Sequence, residues 1–410
     1  MNKASAKPSF LSLAIRICTN AFNFLPVRMS SGIASMLGRL GYYLLPKKRA
    51  VVYANLKTAF SSDKSPHQLQ ILTKTVFINM VKSFIELLSL SKIKETGLKT
   101  FVQHQDREHV DQAMQQGKGV ILLAVHSGNW ELGSVANAML GHPYHLVAHK
   151  QPKMPEVNIW LDEWRGLAGA HSIAPGAATK EIIKALRRNE VVTLVLDQGG
   201  QNGVPVQFFG KTASMSTGAI RLALKYDCAV CLVWIIRNPD GHHVIKYFPA
   251  MTLTSTGDVE KDVITNVQRA AGNFEQLLQE HPMEYLWSYK VFKYTTDTQI
   301  VILDDGSALH LQQSRDKSLL MTTDLQEEGK HVKEETVVLN YRSPVHAFLS
   351  QFRIFLPSED SLKYFLTNTS YKALMHVKAD FVISCGSYSE GVNFILSKDH
   401  QAKSMVLTPS

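Results

Sequence analysis

Val120-Ile121-Leu122-Leu123-Ala124-Val125, followed at once by His126-Ser127-Gly128-Asn129-Trp130-Glu131, is the segment on which the fold turns. Six apolar residues without polar alternation read as a strand buried on both faces, the pattern of a parallel sheet covered by helices. Such sheets present chemistry at the carboxyl ends of their strands, and here the residue delivered is a histidine. Glu131 follows five positions on, and residues five apart on one helix point about 140° apart, so His126 must precede the helix. With Ser127 or Asn129 as N-cap of a helix through Glu131, Leu132, Val135 and Met139, Glu131 falls in the first turn, where the helix dipole favours a carboxylate. From there it can fold back onto the imidazole. A carboxylate on one ring nitrogen fixes the tautomer and supports the charge gained when the other nitrogen takes a proton. The pair reads as a general base and its orienter. The competing reading is a strand-end histidine satisfied by a neighbour, with Trp130 as core.

Outward from this segment, apolar runs at 119–125, 144–148, 191–196 and 229–236 alternate with helical patterns near 131–140, 155–168, 178–189 and 216–226. That alternation predicts an α/β fold with a largely parallel sheet. Helical patterns also fill 65–95, and a helix over about 262–280 closes the unit at His281-Pro282. A fresh α/β pattern begins at Gln299.

The chain has 410 residues and a net charge of +9, with 45% hydrophobic and 19% charged residues, as in a folded protein with a sizeable core. The charge is not spread evenly. Lys3, Lys7, Arg16, Arg28, Arg39, Lys47, Lys48, Arg49 and Lys57 lie in the first sixty residues with no acid among them, and the remainder is formally neutral. The same arm is apolar at helical spacing, through Phe10, Leu13, Ala14, Ile17, Ala21 and Phe24, then Ile33, Met36, Leu37, Leu40, Tyr43 and Leu44. An apolar face beside a basic cluster suits an anionic membrane surface, although neither stretch has the length of a spanning helix. Packing of that face on the protein's own core is the alternative. Arg16 interrupts the apolar region, which argues against a signal peptide. Cys228 and Cys231 read as small core residues, compatible with a reducing compartment. Basic residues on an apolar arm without a recognition motif argue against nucleic-acid binding, and the 16 histidines show no ligand spacing around His126.

A second group follows the strand at 191–196: Asp197-Gln198, then Phe208-Phe209-Gly210 and Thr217-Gly218. Together with His126 to Glu131, Ala54-Asn55-Leu56, Asn79, Glu86, Arg165, His281-Pro282 and Trp287, this ordered series resembles the bacterial lipid A biosynthesis acyltransferases. They are the lauroyl/myristoyl branch of the lysophospholipid acyltransferase superfamily, and the resemblance runs from about Leu25 to Tyr294. It implies a lysophospholipid acyltransferase-like sheet flanked by helices and a membrane-associated N-terminal helix. It also implies transfer of an acyl chain from an acyl carrier protein thioester to a hydroxyl of a glycolipid, at the cytoplasmic face of the inner membrane. His126 and Glu131 map to the family's catalytic residues, and the chemistry calls for no metal or diffusible cofactor. Backbone N–H groups near Gly128 and Asn129 are the expected oxyanion donors. Lys150 and Arg165 are expected to meet acceptor or pantetheine phosphates, lysine as a point charge and arginine as a planar fork. Asp197 and Gln198 join the substrate-binding set, Asp197 being read also as an anchor of the loop that follows it.

The C-terminal stretch has a different likeness. The strand from Gln299 to Leu303, then Asp305-Gly306, His310 and Gln313, and later Phe381 to Gly386, resemble one lobe of the mitochondrial-fission ELM-like, glycosyltransferase-type family. The expected organisation is a basic amphipathic anchor over 1–45, an acyltransferase domain over 46–295 and a Rossmann-like half-domain over 298–410. Two further readings stay open at this point, a catalytically retired scaffold and a membrane-anchored glycosyltransferase.

Overall fold

The computed structural model describes residues 10–89, 97–98, 101–148, 155–174, 178–352 and 355–409. They form two compact units, neither contiguous in sequence. The first contains residues 1–40, 77–206 and 215–286, and the second 41–76, 207–214 and 287–410.

The first unit holds a seven-stranded sheet in the order β1-β9-β8-β2-β5-β3-β4. Its strands are β1 (Val102–Gln105), β2 (Val120–Ala124), β3 (Tyr144–Val147), β4 (Ala170–Ile173), β5 (Val191–Val195), β8 (Ala229–Arg237) and β9 (His243–Ala250). The strand opened by Val120 is central, pairing in parallel with β5 and β8. Val120, Ile121, Leu122 and Leu123 are all fully buried, which is why the run lacks polar alternation. The sheet is parallel except where β9 folds back antiparallel on β8. Leu132, Val135 and Ala136, from the helix Trp130–Asn137, join the core with Leu122, Val233, Ile235 and Ile245. Cys228 and Cys231 are buried, and burial pushes their thiols up to about 11 and about 12.

The second unit has its own sheet, β11-β10-β12-β13, formed by β10 (Asp297–Asp304), β11 (His331–Val338), β12 (Phe381–Cys385) and β13 (Lys403–Leu407). Every pair is parallel. A short hairpin, β6 (Val204–Phe208) with β7 (Lys211–Met215), carries the Phe208-Phe209-Gly210 turn. Residues 46–76 and 207–214, expected to belong with the first sheet, group instead with this unit. The helix Pro46–Phe60 supplies the reason. Its Tyr53 hydroxyl donates to Glu359 at 2.8 Å, Lys57 ion-pairs with Glu359, and Asn55 donates to the carbonyls of Trp287 (2.8 Å) and Tyr289 (2.6 Å).

At the N-terminus the helices Phe10–Phe24 and Val27–Leu44 form as the periodicity predicts. Ile15 and Phe22 pack towards Leu87, Leu88 and Trp160. Leu13, Ile17 and Phe24 of the expected apolar face stand in the open, 49%, 60% and 87% exposed, so that face is not spent on the protein's core. Among the described residues no helix is long and apolar enough to cross a membrane.

Candidate active site

Parallel register decides what stands beside His126. Val120 pairs with Val191 and Ala124 with Val195, and the Leu196 amide donates to the Ala124 carbonyl at 2.8 Å. Continued two residues further, the same register sets His126 beside Asp197. The His126 Nδ1 lies 2.9 Å from Asp197 Oδ1, and the His126 backbone N–H donates to Asp197 Oδ2 at 3.1 Å. The Asp197 side chain is almost wholly buried while His126 keeps a partly open face. A carboxylate only accepts, so Nδ1 carries the proton and Nε2 is the basic nitrogen. Among the described residues nothing bonds Nε2. Burial disfavours the charged ring, but the charge and hydrogen bond of Asp197, helped by Glu131, outweigh it and hold the His126 pKa above its ordinary value.

Glu131 does not orient the imidazole, contrary to the sequence reading. Asn129 caps the helix as expected, accepting from the Leu132 N–H at 3.2 Å, and Glu131 falls in the first turn. There it meets Arg165, whose Nη2 lies 2.7 Å from Oε1 and whose Nε lies 3.0 Å from Oε2. A buried guanidinium offering two parallel bonds outcompetes one imidazole N–H. Arg165 also reaches Asp162 at 3.3 Å. Buried and faced by two carboxylates, it is not the open phosphate clamp expected from the sequence.

The turn between His126 and the helix is fixed from below. The Gly128 N–H donates to the Glu284 carbonyl at 2.5 Å, the Ser127 N–H to Val125, and the Leu286 N–H to the His126 carbonyl at 2.9 Å. Gly128 therefore does not supply the oxyanion donor expected of it. The Asn129 side chain is also committed away from substrate, donating to the Ser83 carbonyl at 3.2 Å and to Glu86 at 2.9 Å. Glu86 further accepts from Arg237 (2.8 Å) and faces His243 (3.1 Å). Burial opposes its charge, yet these two neighbours push its pKa down to about 2. Sequence reasoning gave no role to this network or to Glu284, because its members come from five separate segments.

A cavity of about 440 Å³ opens on His126. His126, Trp130, Glu131, Arg165 and Gln198 line its polar side, and Leu146, Val233, Ile235 and Ile245 its apolar side. The Trp130 ring meets the imidazole edge-on, with centroids 5.5 Å apart. Of the expected binding residues Gln198 is on the wall, Asn129 and Asp197 are held in hydrogen bonds, and Lys150 lies outside the described residues. Gly128 sits at φ +53°, and an added Cβ would lie 2.4 Å from the Ile235 carbonyl oxygen. Gly128→Ala is expected to displace the turn and lower kcat roughly 100-fold, the usual cost of moving a catalytic group by about 1 Å. Steady-state kinetics alongside thermal unfolding would show it, and a variant with wild-type kcat would mean the turn has slack.

Comparison with known proteins places the residues that carry this site within one family. The family model described as bacterial lipid A biosynthesis acyltransferase matches residues 4–294. The "Lipid A biosynthesis lauroyltransferase" of Escherichia coli (strain K12) is 23% identical over 263 residues, covering 63% of this chain and 83% of that protein. The "Lipid A biosynthesis acyltransferase" of Haemophilus influenzae is 20% identical over 280 residues, 67% of this chain and 85% of the relative. The "Phosphatidylinositol mannoside acyltransferase" of Mycobacterium tuberculosis is 26% identical over 185 residues, 43% of this chain and 56% of the relative. The family match ends before β10, and nothing in these comparisons supports the ELM-like resemblance of the C-terminal residues. With the match spanning most of the chain and holding all of the His126 site, the chain belongs to the bacterial lipid A biosynthesis acyltransferase family.

Proposed function

We propose that this protein transfers a fatty acyl chain from an acyl carrier protein thioester to a hydroxyl of a glycolipid, lipid A precursor or a related molecule. The observation that carries this reading is His126, held by the buried Asp197 and facing a cavity of about 440 Å³ with an apolar side, a size suited to a lipid-like ligand. Nε2 of His126 takes the proton of the acceptor hydroxyl as its oxygen attacks the thioester carbonyl. The tetrahedral intermediate collapses with loss of the C–S bond, and the imidazolium returns the proton to the departing thiolate. Asp197 holds the ring and stabilises its transient charge. Glu131 and Arg165, locked together, tie the helix Pro155–Leu167 to the helix Trp130–Asn137 and so shape the pocket. Gln198, exposed on the wall, offers an amide to the substrate's polar end. Both sets of relatives bear names that join an acyl group to a glycosylated lipid, which is the acceptor class taken here. The test is incubation of the purified chain with acyl-loaded carrier protein and membranes, followed by mass spectrometry of extracted glycolipid. A mass gain of one acyl group is expected. Its absence with every chain length would favour the retired scaffold, and sugar-nucleotide turnover would favour the glycosyltransferase.

The exposed Leu13, Ile17 and Phe24, on an arm without acids, support residence at an anionic membrane surface, which we place at the cytoplasmic face of the inner membrane. Replacing the three by serine is expected to weaken binding to anionic vesicles by roughly 1,000-fold or more, since each buried side chain is worth about 1.5–3 kcal/mol. Cosedimentation measures this, and unchanged binding would remove the arm as anchor.

A further inference from the structure

The helix Pro344–Ser350, in the second unit and beyond the acyltransferase match, turns an apolar face outward. Val345, Phe348, Phe352 and Phe355 follow one another at helical spacing through the helix and the turn after it, and each is between 45% and 64% exposed. The rings touch in series. Phe348 and Phe352 meet edge-on with centroids 5.3 Å apart, and Phe352 and Phe355 at 6.5 Å, so they form one patch rather than scattered surface residues. The opposite face is already used. Ala347 and Ser350 are buried, Leu349 packs on the core around Leu356, and the Ser343 side chain caps the first turn. Beneath it Gly391 admits the helix so closely that a Cβ there would collide with the Ser350 carbonyl oxygen. A helix seated this way cannot roll its rings inward, and the patch is left for a partner outside the chain.

We propose that this face is a second membrane contact, seated at the headgroup boundary of an anionic bilayer; the choice of occupant rests on the membrane residence proposed above. Charge favours it. From Thr336 to Ser358 the sequence has no acid but carries Arg342 and Arg353. Arg342 is exposed, and Lys398 brings its ammonium to the Pro357 carbonyl at 3.3 Å, so the patch has a cation at each end. The acids that follow are spent, Glu359 on the buried Lys57 and Asp360 on Lys363 at 2.8 Å, while Glu390, exposed on the neighbouring helix, is set against the cations. Aromatic rings beside basic side chains are the composition of a surface that sits among lipid headgroups. Area argues against a second copy of the chain. Half-exposed rings of about 150–250 Å² each, with Val345, offer roughly 400 Å², half of the 800 Å² or so that each side of a stable complex buries.

Cosedimentation of the intact chain with vesicles of phosphatidylcholine and phosphatidylglycerol tests this. Phe348→Ser, Phe352→Ser and Phe355→Ser together should weaken binding by roughly 50-fold or more, since about half of each ring remains to be buried. The thermal unfolding curve should stay that of the wild type, because the rings lie outside the core. Hydrogen exchange on the same vesicles locates the contact. Amides of residues 344–356 are expected to gain protection when lipid is added, in proportion to the chain bound. Replacing Leu13, Ile17 and Phe24 by serine should lower the amount bound and leave the protection per bound chain unchanged, so failure of the N-terminal arm and failure of this patch give different results. Binding that the three phenylalanine substitutions leave untouched, or exchange over 344–356 that lipid does not slow, would overturn the proposal. Protection that grows with protein concentration in the absence of lipid would overturn it too, by assigning the patch to a second copy of the chain.

Discussion

Asp197→Asn is expected to lower acyl transfer by roughly 10³–10⁴-fold with the chain still folded, nearly matching His126→Ala, which should leave no detectable product. The magnitude is that of orienter loss in other base-carboxylate pairs, where the amide favours the wrong tautomer. Asn at 197 can donate its N–H to Nδ1, which places the proton on Nε2 and leaves no base towards the hydroxyl. Glu131→Gln should cost far less, because Glu131 is bonded to Arg165 and reaches the imidazole only through its field. This ordering inverts the one expected if Glu131 were the orienter. The pH profile gives an independent reading. On the proposed mechanism the active form has neutral His126, whose pKa is raised, so kcat/KM should rise with pH through a limb above the ordinary histidine value. Without the Asp197 charge the opposing effect of burial prevails, and whatever activity Asp197→Asn retains should show that limb at lower pH. Equal losses in Asp197→Asn and Glu131→Gln, or an unmoved limb, would count against the assignment.

The sequence makes the strand, the histidine and the helix start legible, because each is a local matter of apolar run, geometry and cap. It hides the partner. Reasoning along the chain favours an acid five residues away, whereas the sheet brings together residues seventy-one apart. A signal was nonetheless available. Val120 to Val125 and Val191 to Leu196 are six-residue runs that end in His126 and Asp197, and setting the two runs side by side in parallel register places histidine beside aspartate. The edge strands escaped for another reason. Val102–Gln105 and Ala170–Ile173 are short and at least half polar, and His331–Val338 shows its charged residues to solvent, so none carries the continuous apolar run that marks a central parallel strand. Nor does periodicity along Pro46–Phe60 disclose that Lys57 is wholly buried, since what makes that tolerable comes from residues 359 and 400.

That burial leads to the second large effect. Lys57→Met is expected to destabilise the second unit by about 3–5 kcal/mol, because it leaves Glu359 charged and without its ammonium partner in the interior. The remaining neighbours, the Tyr53 hydroxyl at 2.8 Å and the His400 Nε2 at 3.2 Å, soften but do not replace that charge. Methionine fills the space of the lysine stem, so the loss is not a cavity effect, and Lys57→Met combined with Glu359→Leu should recover much of it. The pH dependence separates the electrostatic cause from any other. In the wild type burial opposes the Glu359 charge, but Lys57 and His400 prevail and push its pKa down to about 2 from 4.5, so its contribution is complete above 4.5 and lost as pH falls towards 2. His400, buried and beside Lys57, is pushed down to about 4 from 6.5, and its contribution likewise drains away on acidification below 6.5. Asp399, raised by burial to about 6 from 3.8, acts in the opposite sense, contributing most below 3.8 and losing it as pH rises through 6. With two groups against one, acid weakens the wild-type unit. In Lys57→Met the Glu359 contribution changes sign, because burial without the ammonium raises its pKa and protonation relieves the cost. The deficit of the variant should therefore shrink as pH falls from 7 towards 4, read from denaturant unfolding of both proteins across that range. A deficit that stays constant with pH would place the effect in packing, and the ion pair would have no claim on the stability of the unit.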